Sequence, residues 1–156
     1  MLTYKIHLFR HGITRANLEG KYVGLSDYPL CQEGIDALKE FVKDKDYPPV
    51  EKIYTSPLRR CRETAHILYP GYKTFDVPQL MEMDFGTYEG KTLNELQNDE
   101  SFIAWSRDSM HNAPPEGEDG MEFIRRVIKG LNDVFQDMMA NDVHNAALVI
   151  PGGMIM

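Results

Sequence analysis

Thr3-Tyr4-Lys5-Ile6-His7-Leu8-Phe9-Arg10-His11-Gly12 is the stretch on which the fold turns. Thr3 to Phe9 reads as a β-strand, and Arg10-His11-Gly12 follows it without a spacer. An imidazole and a guanidinium at the carboxyl end of a strand sit where open α/β sheets bind their ligands. Gly12 lets the backbone pass close to a bound group. A helical turn beyond it would aim amide N–H groups at an anion.

Working outward, strands alternate with helices. Asn17 to Pro29, rich in Gly, Asp, Ser and Tyr, reads as a loop. Gln32 to Lys45 carries Ile35, Ala37, Leu38, Phe41 and Val42 near helical spacing, and Pro48 and Pro49 stop it. Val50 to Thr55 predicts a second strand. Leu58 to Tyr69 predicts a helix with Ser56 as cap and Pro57 at its first position. Thr74 to Val77 reads as a short strand, and Leu93 to Arg107 as one or two short helices. Met121 to Met139 repeats Phe123, Ile124, Val127, Leu131, Val134, Phe135 and Met138 with a helical period. Ala146 to Ile150 predicts a last strand, closed by Pro151-Gly152-Gly153. This order implies an α/β class with a largely parallel sheet and helices on both faces. Three strand ends then need inspection: Arg10-His11-Gly12, Ser56-Pro57 and Pro151-Gly152-Gly153.

Composition sets the outer limits. With 156 residues, 42% of them apolar, one domain over residues 1–156 can fill a single core. The formal charge of −7 argues against non-specific nucleic-acid binding, which needs a basic footprint. A small anion is still allowed, because a few arginines can dominate one cleft. Cys31 and Cys61 form neither a disulfide framework nor a zinc spacing. Met1 to His11 is broken by Lys5, His7 and Arg10 and is no signal peptide, and no apolar run is long enough to span a membrane. A cytoplasmic protein is expected, with no membrane partner.

Further stretches complete a pattern. They are Asn17 downstream of Arg10-His11-Gly12; Ser56-Pro57-Leu58-Arg59-Arg60-Cys61-Arg62-Glu63-Thr64-Ala65; Leu80-Met81-Glu82-Met83-Asp84-Phe85-Gly86-Thr87-Tyr88-Glu89-Gly90; Pro114-Pro115-Glu116-Gly117-Glu118; and Gly152-Gly153. Together and in this order, from residue 5 to the end, the chain resembles the histidine phosphatase (phosphoglycerate mutase-like) superfamily. The resemblance implies a three-layer sandwich, and it implies that His11 is the nucleophile and Glu82 the general acid. Arg10, Arg60 and Asn17 would hold the phosphate, with Gly24 and Gly152 completing the substrate-binding set. The chemistry is coherent on its own terms. A neutral imidazole nitrogen can attack phosphorus and leave again, and arginines fork onto phosphate oxygens with permanent charge. No cofactor or metal is expected, because no His/Asp/Glu cluster has ligand spacing. Arg59 and Arg62 turn away from Arg60 and read as solvated surface. Asp84 receives no role, and Glu89 reads as fixing its own turn.

The sequence departs from the family at two places. Members normally end a late strand with His-Gly-Gly, whereas here the tripeptide is Pro151-Gly152-Gly153. Proline offers neither a side-chain donor nor a backbone N–H, so weakened or lost turnover is expected. Among the other histidines, His7 reads as a packed or bonded core residue, His66 as surface and His144 as lying at the far end of the sheet. His111 sits on a candidate lid. The second departure is length. Members commonly continue through another helix and strand after the position of Met156, so this is either a short form or a truncated one. The uncovered face or an edge strand would allow a homodimer.

Only residues 66–79 separate the Arg60 helix from the Glu82 turn, where mutases usually carry an insertion. The turn itself is more like the small, alpha-ribazole phosphatase-like members. Phosphomonoester hydrolysis of a small phosphorylated metabolite is therefore the first reading. A non-catalytic binder of phosphorylated ligands or inorganic phosphate, a mutase, and a partly folded fragment are the alternatives. Tyr22, Trp105 and Arg107 are candidates for contact with a leaving group.

Overall fold

Side chains in a strand alternate between faces, and in the central strands of this chain both faces are apolar. Ala147 and Val149 point to one side, Ala146, Leu148 and Ile150 to the other, and all five are buried. Such a strand needs helices above and below it. The computed structural model describes residues 1–43 and 49–155 and supplies them. Its elements are β1 (Lys5–Arg10), α1 (Arg15–Leu18), α2 (Gln32–Lys43), β2 (Lys52–Thr55), α3 (Arg59–Leu68), β3 (Thr74–Asp76), α4 (Leu93–Leu96), α5 (Glu100–Arg107), α6 (Gly120–Ala140) and β4 (Asn145–Ile150). Short 3-10 turns follow at Gly86–Tyr88 and Gly152–Met154.

The four strands form one sheet in the order β1-β4-β2-β3, and every pairing is parallel. Register places Arg10 opposite Ile150 and Thr55 opposite Val149, so the three inspected strand ends open side by side. On one face α2 and α3 cover Ile53, Ala147 and Val149, with Leu38 and Val42 packed against Cys61, Ala65 and Leu68. On the other, α6 lays Val134 and Met138 on Tyr54, Leu148 and Ile150. A separate aromatic cluster of Tyr88, Phe102 and Trp105 joins the 3-10 turn to α5, with Tyr22 and Phe85 against it. The expected α/β three-layer architecture is therefore present.

Several expectations shift. The first helix of the pattern ends at Lys43, with Asp44, Lys45 and Pro48 outside the described residues. Its Ala37 and Phe41 are exposed, and Gly34 is its buried residue. Within the predicted 17–29 loop, Asn17 instead belongs to α1, a four-residue helix closed by a reciprocal box between Thr14 and Asn17. Ser56 does not cap α3. Leu58 occupies the cap position and α3 begins at Arg59. The reason is local: the Ser56 amide bonds to Val149 O as the sheet ends, and its hydroxyl accepts the Leu58 N–H, ahead of the helix rather than within its first turn. Two further residues are needed before the chain turns into a helix. In α6 the period holds, but Ile124 and Phe135 face outward while Val134 and Met138 are buried. Cys31 precedes α2 with its thiol on the Ile13 carbonyl at 3.3 Å, and both cysteines are free.

Candidate active site

His11 is the first residue past β1, and its amide bonds to Ile150 O, so the sheet itself delivers the imidazole to the strand ends. The turn beyond it is fixed from α3. Gly12 N–H donates to Thr64 Oγ1 at 2.8 Å, and the Thr64 hydroxyl donates to Arg60 O at 2.7 Å. His11 Nδ1 lies 2.6 Å from Gly12 O. A carbonyl oxygen can only accept, so Nδ1 carries the hydrogen and the lone pair stands on Nε2. The residue is 9% exposed. Burial is the main force on its pKa, which is lowered to about 4; the bond to Gly12 opposes this, while the charges of Arg60 and Arg10 reinforce it. At neutral pH the imidazole is therefore uncharged.

Arg60 rises from the first turn of α3 and is fully buried. Its Nη1 donates to Ser26 O at 3.0 Å and its Nη2 to Gly24 O at 2.9 Å. Its Nε–H has no partner among the described residues. Burial lowers the Arg60 pKa from its ordinary value, and the Glu82 and Glu89 carboxylates act against that shift. The loop that Arg60 grips is held from the other side by Glu89, whose carboxylate accepts Gly24 N–H at 2.7 Å and Ser26 N–H at 2.8 Å. Glu89 therefore fixes a second segment as well as its own turn.

Glu82 is 6% exposed. Its Oε1 accepts Met83 N–H at 2.9 Å and its Oε2 accepts Gly153 N–H at 3.0 Å. A Cβ at residue 153 would fall 2.4 Å from Glu82 Oε1, and one at residue 152 would fall 2.6 Å from Arg10 Nε. The two glycines thus let the chain after β4 lie flat beneath both side chains.

A pocket of about 230 Å³ brings Arg10, His11, Asn17, Arg60, Glu82 and Gly152 together. Asn17 Oδ1 is engaged by the Thr14 amide and hydroxyl, so the Nδ2 hydrogens are what Asn17 can offer a ligand. Gly24 stands apart from this group. Its amide is on Glu89, its carbonyl is on Arg60, and it does not line the pocket. A Cβ there would meet Met83 O at 2.1 Å, so the glycine serves close packing. A larger side chain would push the 24–26 loop off the Glu82 turn.

Lys21, Tyr22, Val23, Phe85 and Gly153 also line the pocket. Of these, Tyr22 is the side chain that the sequence offers for contact with a leaving group. Lys21 is paired with Glu19 at 2.7 Å; its place in a loop without periodicity gave no signal. Trp105 is buried in the aromatic cluster, and Arg107 is exposed. Arg59 and Arg62 are exposed as expected and bonded to Glu63 and Asp76. The other histidines lie elsewhere. His7 Nε2 bonds to Asn145 Oδ1, His66 is exposed, His111 pairs with Asp108, and His144 stacks on Tyr4 beside the start of β4. Among the described residues, no group of three or more His, Cys, Asp or Glu is placed to hold a metal ion. No helix among them is long and apolar enough to cross a membrane.

A parallel αβα sheet with a neutral, guanidinium-flanked histidine at its carboxyl edge defines a histidine-centred domain of the phosphoglycerate mutase-like fold. The chain belongs to the histidine phosphatase superfamily (branch 1), whose pattern matches residues 6–156. It is 34% identical over 142 residues to the adenosylcobalamin/alpha-ribazole phosphatase of Salmonella typhimurium, covering 85% of this chain and 69% of that protein. A 2,3-bisphosphoglycerate-dependent phosphoglycerate mutase of Bifidobacterium longum is 33% identical over 126 residues, 74% of this chain and 50% of the mutase. Among solved structures, the alpha-ribazole phosphatase of Shigella flexneri superimposes with a TM-score of 0.86 at 28% identity, over 96% of this chain and 75% of its own. This chain thus spans between half and about seven-tenths of these two curated relatives.

Proposed function

We propose that this chain is a phosphomonoester hydrolase that works through a phosphohistidine at His11. The observation that carries the reading is the His11 imidazole itself. It is buried, neutral, protonated on Nδ1 by way of Gly12 O, and faced by Arg10, Arg60 and Glu82 in one pocket. In the first step Nε2 attacks phosphorus, the bond to the leaving oxygen breaks, and Glu82 gives that oxygen its proton. In the second, Glu82 takes a proton from water, the water oxygen attacks phosphorus, and the P–N bond breaks to return neutral His11. Arg10, the Arg60 Nε–H and Asn17 Nδ2 supply charge and donors to the phosphoryl oxygens, as phosphoryl transfer demands. The substrate is a small phosphorylated metabolite, and the work needs no cofactor. The short link between α3 and the Glu82 turn favours hydrolysis over mutase chemistry.

Pro151 tempers the rate. It directly follows Ile150, whose carbonyl accepts the His11 amide, so a residue type with no donor stands beside the nucleophile. Loss of one preorganised donor costs about 10²–10³ in turnover. The same observation supports a second reading, a phosphate-ligand binder without turnover. Incubation with p-nitrophenyl phosphate separates the two. The hydrolase releases product and carries acid-labile phosphate that His11→Ala abolishes, whereas the binder shows phosphate affinity and neither signal. Pro151→His is expected to raise kcat by about tenfold or more. An unchanged kcat in a folded variant would remove Pro151 as the cause of any slowness.

A further inference from the structure

The Pro114–Glu118 stretch and the second turn of α6 meet behind the pocket, in a contact the mechanism above does not use. Arg126 Nη1 donates to Gln79 O and to Met81 O, both at 2.8 Å, and its Nη2 donates to Glu82 O at 3.1 Å. Its Nη2 and Nε also donate to the two oxygens of Glu118. A guanidinium has five N–H donors, and here three fall on main-chain carbonyls and two on one carboxylate. Glu118 Oε1 in turn accepts Asp84 N–H at 3.1 Å, and Glu118 N–H donates to Asp84 O. The Arg126 and Glu118 side chains are 22% and 17% exposed. An arginine used for surface solvation would not turn every donor inward.

We infer that Arg126, braced by Glu118, is a positioning residue that sets the backbone of residues 79–84 and thereby aims the Glu82 carboxylate at the leaving oxygen. This rests on the assignment of Glu82 as general acid. Arg126 holds the carbonyls before Glu82 and that of Glu82 itself, Glu118 holds Asp84 just after it, and the carboxylate at the other end is met by Gly153 N–H. Between these two anchors Glu82 has little freedom, and small displacements of a reacting group are costly. Lysine could not reproduce the grip, because a single ammonium cannot span three carbonyls and a carboxylate in a fixed plane.

The test compares Arg126→Lys with the wild-type chain on two substrates. A general acid matters for a poor leaving group such as glycerol 2-phosphate and hardly for p-nitrophenolate. The expected result is a loss of about 10- to 100-fold in kcat/KM on glycerol 2-phosphate, against less than about threefold on p-nitrophenyl phosphate. Amide hydrogen exchange gives a second readout that needs no turnover. Gly153, which Arg126 does not touch, should exchange about tenfold faster in the variant, while Leu148 in β4 stays unchanged. Equal losses on both substrates together with unchanged Gly153 exchange would overturn the inference. If wild-type protein turns over neither substrate, the hydrolase reading falls, and Gly153 exchange alone decides the positioning role. Should Arg126→Lys fail to fold, Glu118→Gln replaces it, with the same direction expected at Gly153 and the same unchanged value as refutation.

Discussion

At the scale of the residue, His11, as the proposed nucleophile, has two demands to reconcile, since such a group must be neutral yet must lie among cations that attract phosphate. Burial and the adjacent arginines lower its pKa to about 4, so its Nε2 lone pair is available throughout the physiological range. An NMR titration of the imidazole should therefore move near pH 4, and a midpoint near an ordinary histidine value would refute the environment described. Stability follows with a definite sign. Between the unfolded pKa and the folded one, the unfolded chain binds more protons than the native one, so stability falls as pH is lowered through that window. From about pH 7 to about pH 5 this histidine alone should remove about 2 kcal/mol, measured by urea unfolding at the two pH values. His11→Asn should lose that part of the pH dependence. The position of His11 at a strand end was legible from the strand before it, but Arg10-His11-Gly12 alone fits a surface loop equally well, and only the later stretches around Arg60, Glu82 and Gly152 single the histidine out. The Arg60 and Glu89 grip on Gly24 and Ser26 was not legible. It is made with backbone groups, and a sequence does not record where a carbonyl points.

Elements place these residues, and the contact between α2 and the histidine turn is one of the close placements. Ile13 O accepts both the amide and the thiol of Cys31. A Cβ at Gly34 in α2 would lie 2.2 Å from that same oxygen. Gly34→Ala therefore has to push α2 away from the turn that carries His11 and Thr14. Overpacking of this kind costs about 1–3 kcal/mol, and the gain in helix propensity returns at most about 1. A net loss of about 1–2 kcal/mol and a Tm lower by about 3–6 °C are expected in thermal unfolding, with weaker phosphate binding in the folded fraction. An unchanged Tm would show that the helix re-seats freely. Legibility at this scale tracked length. The 21-residue α6 announces itself through Val127, Leu131, Val134 and Met138, and β4 through its unbroken apolar run. The four residues of α1 are too few for any period, and what holds them is the Thr14–Asn17 box. The false cap at Ser56 arose because a serine before a helix and a serine ending a strand look the same until the sheet register is known. Pairing with Val149 decides between them.

Over the whole molecule, 24 acidic and 17 basic side chains give a net −7, yet the proposed ligand is an anion. Magnitudes decide which charge it feels. A unit pair at 4 Å is worth about 4 kcal/mol at an effective dielectric of about 20, whereas one separated by a molecular radius of about 15 Å is worth about 0.3 kcal/mol in water. Arg10 and Arg60 at contact would thus outweigh the distributed carboxylates, and the proposed phosphate ligand is expected to bind despite the net charge. The two terms respond differently to salt. Contact pairs inside the pocket are screened little, while the long-range repulsion fades as the Debye length shrinks from about 30 Å at 0.01 M to about 8 Å at 0.15 M. Affinity for inorganic phosphate should therefore tighten by roughly three- to tenfold over that range, the reverse of what a basic binding surface shows. Isothermal titration of the full chain at the two salt concentrations reads this directly. Affinity that weakens with salt would mean that exposed Arg10, rather than buried Arg60, carries the attraction, because charges already in solvent lose most to screening.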